Sequence, residues 1–163
     1  MNYKIKTVDK SDFDFVLSLN QKTLPEVSSI DLVGMSYFLK NSSYFKIILH
    51  KNHPVGFCIG LMPGKDYSSE NYIWINRRCN SFIYVDRIVI NEKHRNKGIG
   101  SYLYTHLEET YCGKVENITC EVNILPYNKP SMNFHKKYGF KEIGQKDTEN
   151  GKKRVAYMAY KLS

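Results

Sequence analysis

The spacing of apolar residues along the chain predicts a mixture of strands and helices. Alternation of apolar and polar residues, or a short apolar run, predicts strands, and three- or four-residue spacing predicts helices. The predicted strands are 3–8, 44–50, 55–62, 82–90, 115–124, 140–145 and 154–162. The predicted helices begin near Ser11, Asp31, Ile99 and Asn128. The resulting order, β-α-α-β-β-β-α-β-α-β-β, indicates a mixed α/β (α+β) fold with a central sheet of about seven strands flanked by helices.

Short polar segments predict how these elements begin and end. Ser11 with Asp14 fits a capping box before the first helix, and Asp31 is placed to cap the second. Residues 51–54 contain turn-forming residues and predict a hairpin. Residues 65–80 combine polar and aromatic side chains and are expected to form a loop before the fourth strand.

Length and composition favour one soluble domain. A chain of 163 residues with 42% hydrophobic residues can bury a substantial core, so we expect a single domain spanning 1–163. No stretch approaches the roughly 20 apolar residues of a membrane helix, and residues 1–6 lack the apolar core of a signal peptide. We therefore expect a cytoplasmic protein with no membrane partner.

Cysteine spacing and net charge narrow the possible ligands. The four cysteines (Cys58, Cys79, Cys112 and Cys120) form no Cys-x-x-Cys pair, so we expect no metal site and interpret them as core residues. The formal charge of +8 suits a polyanion, and both coenzyme A and nucleic acid qualify. Because the basic residues are not interleaved with aromatic ones and no nucleic-acid-binding motif is present, no nucleic acid partner is expected.

A basic glycine turn between the fourth strand and the next helix predicts a pyrophosphate site. A helix start offers unpaired backbone N–H groups and the positive end of the helix dipole. Gly98 and Gly100 let an anion approach the backbone. Three cations surround the same turn, namely Lys93, Arg95 and Lys97.

Two motifs resemble those of the GNAT superfamily of N-acyltransferases. The turn Arg95-Asn96-Lys97-Gly98-Ile99-Gly100 is similar to the acyl-CoA-binding signature of that superfamily. The segment 128–140 is similar to a second GNAT pattern, which Asn128, Phe134, Gly139 and Phe140 match and in which Ser131 replaces the usual alanine. Residues 67–74, 82–87 and 119–123 resemble a bacterial GNAT group described only as predicted acetyltransferases.

The resemblance implies an activity and a cofactor. It implies acetyl transfer from acetyl-CoA to an amine by direct attack in a ternary complex, on a sheet splayed between its fourth and fifth strands. It implies cofactor binding by Ile88, Val89, Ile90, Arg95, Asn96, Lys97, Gly98, Ile99, Gly100, Ser101, Asn128, Ser131 and Phe134. A backbone N–H near Ile88 to Ile90 would bind the thioester oxygen. The acceptor is expected to be a small-molecule or peptide amine, and a homodimer is possible because dimers are common in this fold.

Three polar residues are candidates for catalysis. Asp86 interrupts a strand expected to be buried, so it is either a base or ammonium anchor, or one half of an ion pair. Glu121 occupies a similar position on the next strand, and its expected partner is Arg87. His135 stands where the family commonly has a general-acid tyrosine, and the alternative interpretation is a polar surface histidine.

Aromatic residues near the fourth strand are candidates for acceptor binding. Tyr67, Tyr72 and Trp74 precede that strand, and Tyr84 lies within it. They either form a wall for the acceptor or anchor their own loop. The leading hypothesis is an acetyl-CoA-dependent N-acetyltransferase, and the alternative is a non-catalytic acyl-CoA-binding domain of the same fold.

Overall fold

The computed structural model describes residues 2–163 and contains a mixed seven-stranded sheet. The strands are β1 (Tyr3–Thr7), β2 (Tyr44–His50), β3 (His53–Leu61), β4 (Phe82–Ile90), β5 (Asn117–Leu125), β6 (Lys141–Thr148) and β7 (Lys153–Lys161). The helices are α1 (Phe13–Lys22), α2 (Leu32–Asn41), α3 (Glu70–Asn76), α4 (Ile99–Tyr111) and α5 (Lys129–Tyr138). The strand order is β1-β2-β3-β4-β5-β7-β6. The predicted mixed α/β fold is therefore confirmed.

The chain packs as two compact units. The first contains the chain up to Leu61 together with Arg87–Thr110, and the second contains Met62–Asp86 together with Tyr111–Ser163. Strand β4 contributes residues to both units. That the chain is one functional domain stays a prediction.

The first unit contains an antiparallel hairpin whose turn is tighter than predicted. His50 pairs directly with His53, so Lys51 and Asn52 alone form the turn. Both have positive φ values, 50° and 65°. This is the conformation that two-residue hairpin turns require, and it replaces the four-residue turn predicted at 51–54.

Helices α1 and α2 of this unit differ in how well their starts were predicted. Asp31 caps α2 as expected, accepting a hydrogen bond from the Gly34 N–H at 2.8 Å. The capping box before α1 is formed by Asp9 and Asp12 instead of Ser11 and Asp14, and it begins a short 3₁₀ turn that leads into α1. The predicted pair was wrong because it placed the start of the helical turn two residues too late.

A buried arginine ties β4 to α1 within the first unit. Arg87 is only 6% exposed. Its guanidinium donates to Asn20 Oδ1 at 2.8 Å and to the Ser28 carbonyl at 2.9 Å. These acceptors differ from Glu121, the partner that the sequence predicted for Arg87. A buried guanidinium needs such acceptors because an unsatisfied buried charge is costly.

In the second unit, β5 lies between two partner strands. It pairs in parallel with β4 and antiparallel with β7, and β7 pairs antiparallel with β6. Helix α3 occupies part of the segment 65–80, which the sequence analysis wrongly interpreted as a loop. Its start is capped by the Ser69 hydroxyl, which accepts from the Tyr72 N–H at 3.4 Å.

The cysteines only partly follow their predicted role. Cys58 and Cys120 are buried, as core residues should be, whereas Cys79 is half-buried and Cys112 is exposed. Within residues 2–163, no helix combines the length and apolar character needed to cross a membrane.

The Arg87 anchor generates a stability prediction. Asn20→Leu keeps a similar volume but removes the acceptor for a buried guanidinium, so we expect it to lower the free energy of unfolding by roughly 2 kcal/mol or more. The matched change at an exposed helical asparagine, Asn133→Leu, should stay within about 0.5 kcal/mol of the unaltered protein. Urea unfolding followed by circular dichroism measures both, and equal losses would contradict the anchor role.

Candidate active site

Strand register places several candidate residues on one face of the second unit. Tyr84 pairs with Thr119 across β4 and β5, and Glu121 pairs with Tyr157 across β5 and β7. Because side chains alternate between faces, Thr119 and Glu121 share a face, and Asp86 shares that of Tyr84. In residues 2–163 the pairing of β4 with β5 ends at Tyr84, in agreement with the expected parting of these strands.

Helix α3 covers this face through an aromatic stack. The Trp74 ring lies parallel to the Tyr157 ring, with centroids 3.9 Å apart and an interplanar angle of 12°. The Arg78 guanidinium lies 4.0 Å from the Trp74 ring centre. Gly144 of β6 makes room for the indole, since a Cβ there would approach Trp74 to 2.6 Å. The stack therefore fixes both Trp74 and Tyr157.

The fixed tyrosine orients Glu121 through an asparagine of α3. The Tyr157 hydroxyl donates to Asn71 Oδ1 at 3.0 Å. The Asn71 Nδ2 then donates to Glu121 Oε1 at 3.2 Å. Because the amide oxygen is occupied by a hydroxyl donor, the amide nitrogen must face the carboxylate.

Asp86 is held by a different tyrosine. The Tyr67 hydroxyl donates to Asp86 Oδ1 at 2.5 Å. The Tyr67 ring contacts the edge of Tyr72, with centroids 5.6 Å apart. Tyr72 itself is buried, and its hydroxyl donates to the Met62 carbonyl at 2.7 Å and accepts from the Lys65 N–H at 2.9 Å. The structure thus gives Tyr72 the anchoring role that the sequence analysis held as its alternative.

Tyr84 is fully buried beside both carboxylates. Burial, followed by the negative charges of Glu121 and Asp86, raises the pKa of the Tyr84 hydroxyl well above its usual value of 10.0. The hydroxyl therefore keeps its proton at any physiological pH. The Glu121 carboxylate also favours the protonated form of Tyr84 as an acceptor for its hydroxyl. Within residues 2–163, the buried Thr119 hydroxyl has no partner at hydrogen-bonding geometry, which is unusual for a buried hydroxyl.

His135 is a buried neutral imidazole. It is 3% exposed, and its Nδ1 lies 2.8 Å from the Ser131 carbonyl, to which it donates. The rings of Phe134 and Phe140 each meet the imidazole edge-on, with centroids at 5.1 Å. Burial lowers the pKa of His135 to about 4, although the Ser131 carbonyl opposes that shift. The interpretation as a surface histidine is wrong, and the imidazolium is scarce near pH 7.

The basic glycine turn lies in the first unit and is shaped by its own side chains. Arg95 Nε donates to the Ile90 carbonyl at 3.0 Å, and Lys97 Nζ donates to the Lys93 carbonyl at 2.9 Å. Asn96 has a φ of 59°. The backbone bends sharply here, and the cations stay on the outside of the turn, where they are exposed.

The start of α4 fits an anionic group. The helical hydrogen bonds begin with the Tyr102 N–H donating to the Gly98 carbonyl at 3.0 Å. By helix geometry, the N–H groups of Ile99, Gly100 and Ser101 have no acceptor within the helix. Gly98 has a φ of 78° and no side chain with which to cap them, and a Cβ there would have no neighbour within 4 Å. The same unit holds Ile88 and Ile90, both half-buried, and the buried Val89.

The second motif begins a helix in the second unit. Asn128 caps α5, its Oδ1 accepting from the Ser131 N–H at 3.2 Å. Phe134 is half-buried one turn later. The structure therefore places Asn128 and Ser131 at the start of α5 and Phe134 in its middle, and their contact with the cofactor stays a prediction.

The predicted catalytic and acceptor-binding residues lie in one compact unit, and the predicted glycine turn lies in the other. The candidates for catalysis and acceptor binding (Asp86, Glu121, His135, Tyr67, Tyr72, Trp74 and Tyr84) all belong to the second unit, and residues 88–101 belong to the first. The sequence analysis missed Asn71 and Tyr157. A signal for Asn71 was present, because Ser69 followed by Glu70 is typical of a helix start.

Comparisons with known proteins identify relatives by family and by fold. The model of the acetyltransferase (GNAT) family matches residues 13–140. A comparison with the curated proteins finds no match.

Three solved structures illustrate the shared fold. Ard1 from Thermoplasma volcanium aligns over 100% of this chain and 99% of its own, with a TM-score of 0.80 and 16% identity. Arabidopsis thaliana NAA60 in complex with acetyl-CoA aligns over 99% of this chain and 100% of its own, with a TM-score of 0.74 and 11% identity. The ribosomal-protein-S18-alanine N-acetyltransferase from Escherichia coli aligns over 99% of this chain and 95% of its own, with a TM-score of 0.68 and 14% identity.

The buried His135 predicts a pH dependence of stability. Its folded pKa of about 4 lies below the ordinary histidine pKa of 6.5, so the unfolded chain binds more protons between these values. Stability is therefore complete above pH 6.5 and is lost as the pH falls toward 4, by up to about 1.4 kcal/mol per pH unit. His135→Phe should flatten this slope in urea unfolding at pH 4.5 to 7. The exposed His53→Phe serves as control, and identical slopes in both variants would refute the assignment.

Proposed function

Since the chain belongs to the acetyltransferase (GNAT) family, we propose that it transfers an acetyl group from acetyl-CoA to an amine by direct attack in a ternary complex. The observation that carries this proposal is the start of α4 behind a glycine turn, where Gly98 has no capping side chain, in a chain matched by the family model. The NAA60 structure, which contains acetyl-CoA, supports the choice of cosubstrate.

The structural features of the turn suit the diphosphate of coenzyme A. The N–H groups of Ile99, Gly100 and Ser101 would donate to phosphate oxygens, and Arg95 and Lys97 would supply positive charge. The cap residue Asn128, with Ser131 and Phe134 on α5, would contact the rest of the molecule. When bound, acetyl-CoA supplies the acetyl thioester.

Asp86 is proposed to act on the acceptor. An amine in water has a pKa of about 10 and is mostly protonated, so it must lose a proton before it attacks. The Asp86 carboxylate accepts from the Tyr67 hydroxyl, which orients it. It would hold the ammonium and take its proton, and a backbone N–H near Ile88 to Ile90 would stabilise the negative charge on the thioester oxygen.

His135 is not proposed as a strong general acid. The imidazolium is scarce at pH 7 because its pKa is about 4. A thiol has a pKa of about 8.5, so the thiolate leaves without much help from an acid. The buried ring of His135 meets the rings of Phe134 and Phe140 edge-on, which supports a packing role for His135 instead.

The proposal covers two kinds of acceptor, a location and an oligomeric state. A small-molecule amine and a peptide amine both fit a carboxylate face, and the E. coli structural relative is a ribosomal-protein-S18-alanine N-acetyltransferase. A cytoplasmic location and a homodimer are kept as parts of the proposal. The competing proposal is a non-catalytic acyl-CoA-binding domain. Thiol release from acetyl-CoA in the presence of pooled amines supports the enzyme, and binding without release supports the alternative.

The cofactor site predicts the effect of a single side chain. Gly100→Val places a branched side chain in the first turn of α4, so it should abolish coenzyme A binding in calorimetry while the protein stays folded. Thr105→Val adds the same residue to the exposed face of the same helix and should bind coenzyme A normally. Unchanged affinity in the glycine variant would show that the diphosphate binds elsewhere.

Turnover should depend on Asp86 more than on His135. Asp86→Asn keeps the side-chain shape and removes the charge, and we expect kcat/KM to fall roughly 10²-fold or more, the usual scale for a general base. Coenzyme A affinity should be retained. His135→Phe should cost far less, because it removes a neutral side chain. Steady-state rates from pH 6 to 9 measure both, and equal or reversed losses would move the proton chemistry to His135.

A further inference from the structure

A cavity of about 450 Å³ lies in the first unit, next to the glycine turn. That volume falls within the range of about 300–1,000 Å³ that is usual for small-molecule sites. Its lining comes from the end of α1 and from the segment between β4 and α4, and both belong to the same compact unit. Residues 98–101, to which the proposed function assigns the diphosphate, do not line it. The cavity is therefore a candidate site for a second ligand group.

The buried part of the lining comes from α1. Leu19 and Thr23 are both buried and stand four residues apart, so they lie on one face of the helix end. The Thr23 hydroxyl donates to the Leu19 carbonyl at 2.8 Å. Because its proton is already used, the hydroxyl oxygen can only accept from a ligand. A ligand hydroxyl group suits this part of the cavity better than a phosphate oxygen does.

The exposed part of the lining carries a positive charge. It contains three cations, Lys22, Lys93 and Arg95, and one carboxylate, Glu92, which gives a net charge of +2 (three minus one). Among the side chains from residue 2 onward, none forms a hydrogen bond or ion pair with the ammonium group of Lys22 or Lys93. Both ammonium groups can therefore donate to a ligand, and a dianion would balance the net charge.

Two further donors are held in place by the backbone. The Asn91 N–H donates to the Val55 carbonyl at 2.9 Å, and Asn91 Oδ1 accepts from the Lys93 N–H at 3.1 Å. The amide Nδ2 of Asn91 thus keeps its N–H groups for a ligand. Arg95 Nε donates to the Ile90 carbonyl at 3.0 Å, which leaves the two terminal nitrogens of the guanidinium as donors. Donors that are already ordered lose little conformational entropy when a ligand binds.

We infer that the cavity binds a phosphate monoester of a sugar. Such a phosphate carries a charge of about −1.5 to −2 at pH 7 and three acceptor oxygens, which match the net charge and the donors of the lining. The phosphate accepts from Lys22, Lys93 and Asn91, and sugar hydroxyls donate to Glu92 and Thr23. Two sources offer this chemistry. One is the ribose 3′-phosphate of coenzyme A, a case that rests on the proposed function, and the other is a free sugar phosphate.

Coenzyme A and 3′-dephospho-coenzyme A test the first source. In calorimetry at low ionic strength, coenzyme A should bind about tenfold more tightly, and added salt should reduce this advantage. Lys22→Gln removes one donor and should lower the ratio of the two affinities by roughly threefold or more. Lys40→Gln is the matched control, because it removes an exposed lysine from the last turn of α2 as Lys22→Gln does from the last turn of α1. The control should leave the ratio unchanged.

Ribose 5-phosphate tests the second source on the protein without coenzyme A. It should bind more tightly than either ribose or inorganic phosphate, because it offers hydroxyl groups and a phosphate together. Lys22→Gln should weaken its binding, whereas Lys40→Gln should not. Calorimetry under the same conditions measures all three ligands.

The outcomes separate this inference from the proposed function. An advantage of coenzyme A over its dephospho form that depends on Lys22 assigns the cavity to the cosubstrate. Equal affinities of these two, with Lys22-dependent binding of ribose 5-phosphate, assign it to a separate sugar phosphate. If neither measurement responds to Lys22→Gln, the inference is overturned, even where coenzyme A still binds as the proposed function requires. If ribose 5-phosphate binds through Lys22 and coenzyme A does not bind, the inference stands and the proposed function fails.

Discussion

Two consecutive charged residues, Asp86 and Arg87, interrupt an otherwise apolar strand, and much of the local structure follows from satisfying them. Successive side chains on a strand project to opposite faces, so one partner cannot serve both. Arg87 finds Asn20 and Ser28 at the end of α1 and in the segment that follows it, and Asp86 finds Tyr67 before α3. Because unsatisfied buried charge is costly, both connecting segments must be ordered for β4 to be buried.

The order of the second unit's polar face in turn depends on aromatic packing. Gly144 leaves space for Trp74, Trp74 stacks on Tyr157, and Tyr157 orients Asn71 against Glu121. A long charged side chain loses rotamer freedom when it is held in one place, and the cost is smaller when its partner is already fixed. The stack therefore pre-organises the Glu121 carboxylate through Asn71.

The sequence predicted the parts of this structure that depend on local patterns. The span of β4, the Asp31 cap and the glycine turn before α4 follow from alternation, capping chemistry and backbone freedom over a few residues. Helix α3 was missed because one short helix gives little periodicity against many polar neighbours, although its Ser69 cap was visible. The Asn71–Tyr157 hydrogen bond could not be predicted, since its residues lie 86 positions apart and meet only through the pairing of β5 with β7. The burial of His135 was hidden by the lysines that follow it, which occupy the exposed face of the same helix.

The net positive charge of the chain and the negative charge of its Asp86–Glu121 face coexist because the two act over different distances. The net charge of +8 favours the approach of a polyanion, while the Asp86–Glu121 face favours a cation. Charges farther apart than about 8 Å are largely screened at physiological ionic strength, so a ligand in the site responds mainly to its immediate neighbours. A cationic amine close to these carboxylates therefore experiences little of the chain's positive surplus. In the proposed function, the positive surplus would act on the encounter with the cosubstrate, and the carboxylates of the second unit would act on the acceptor.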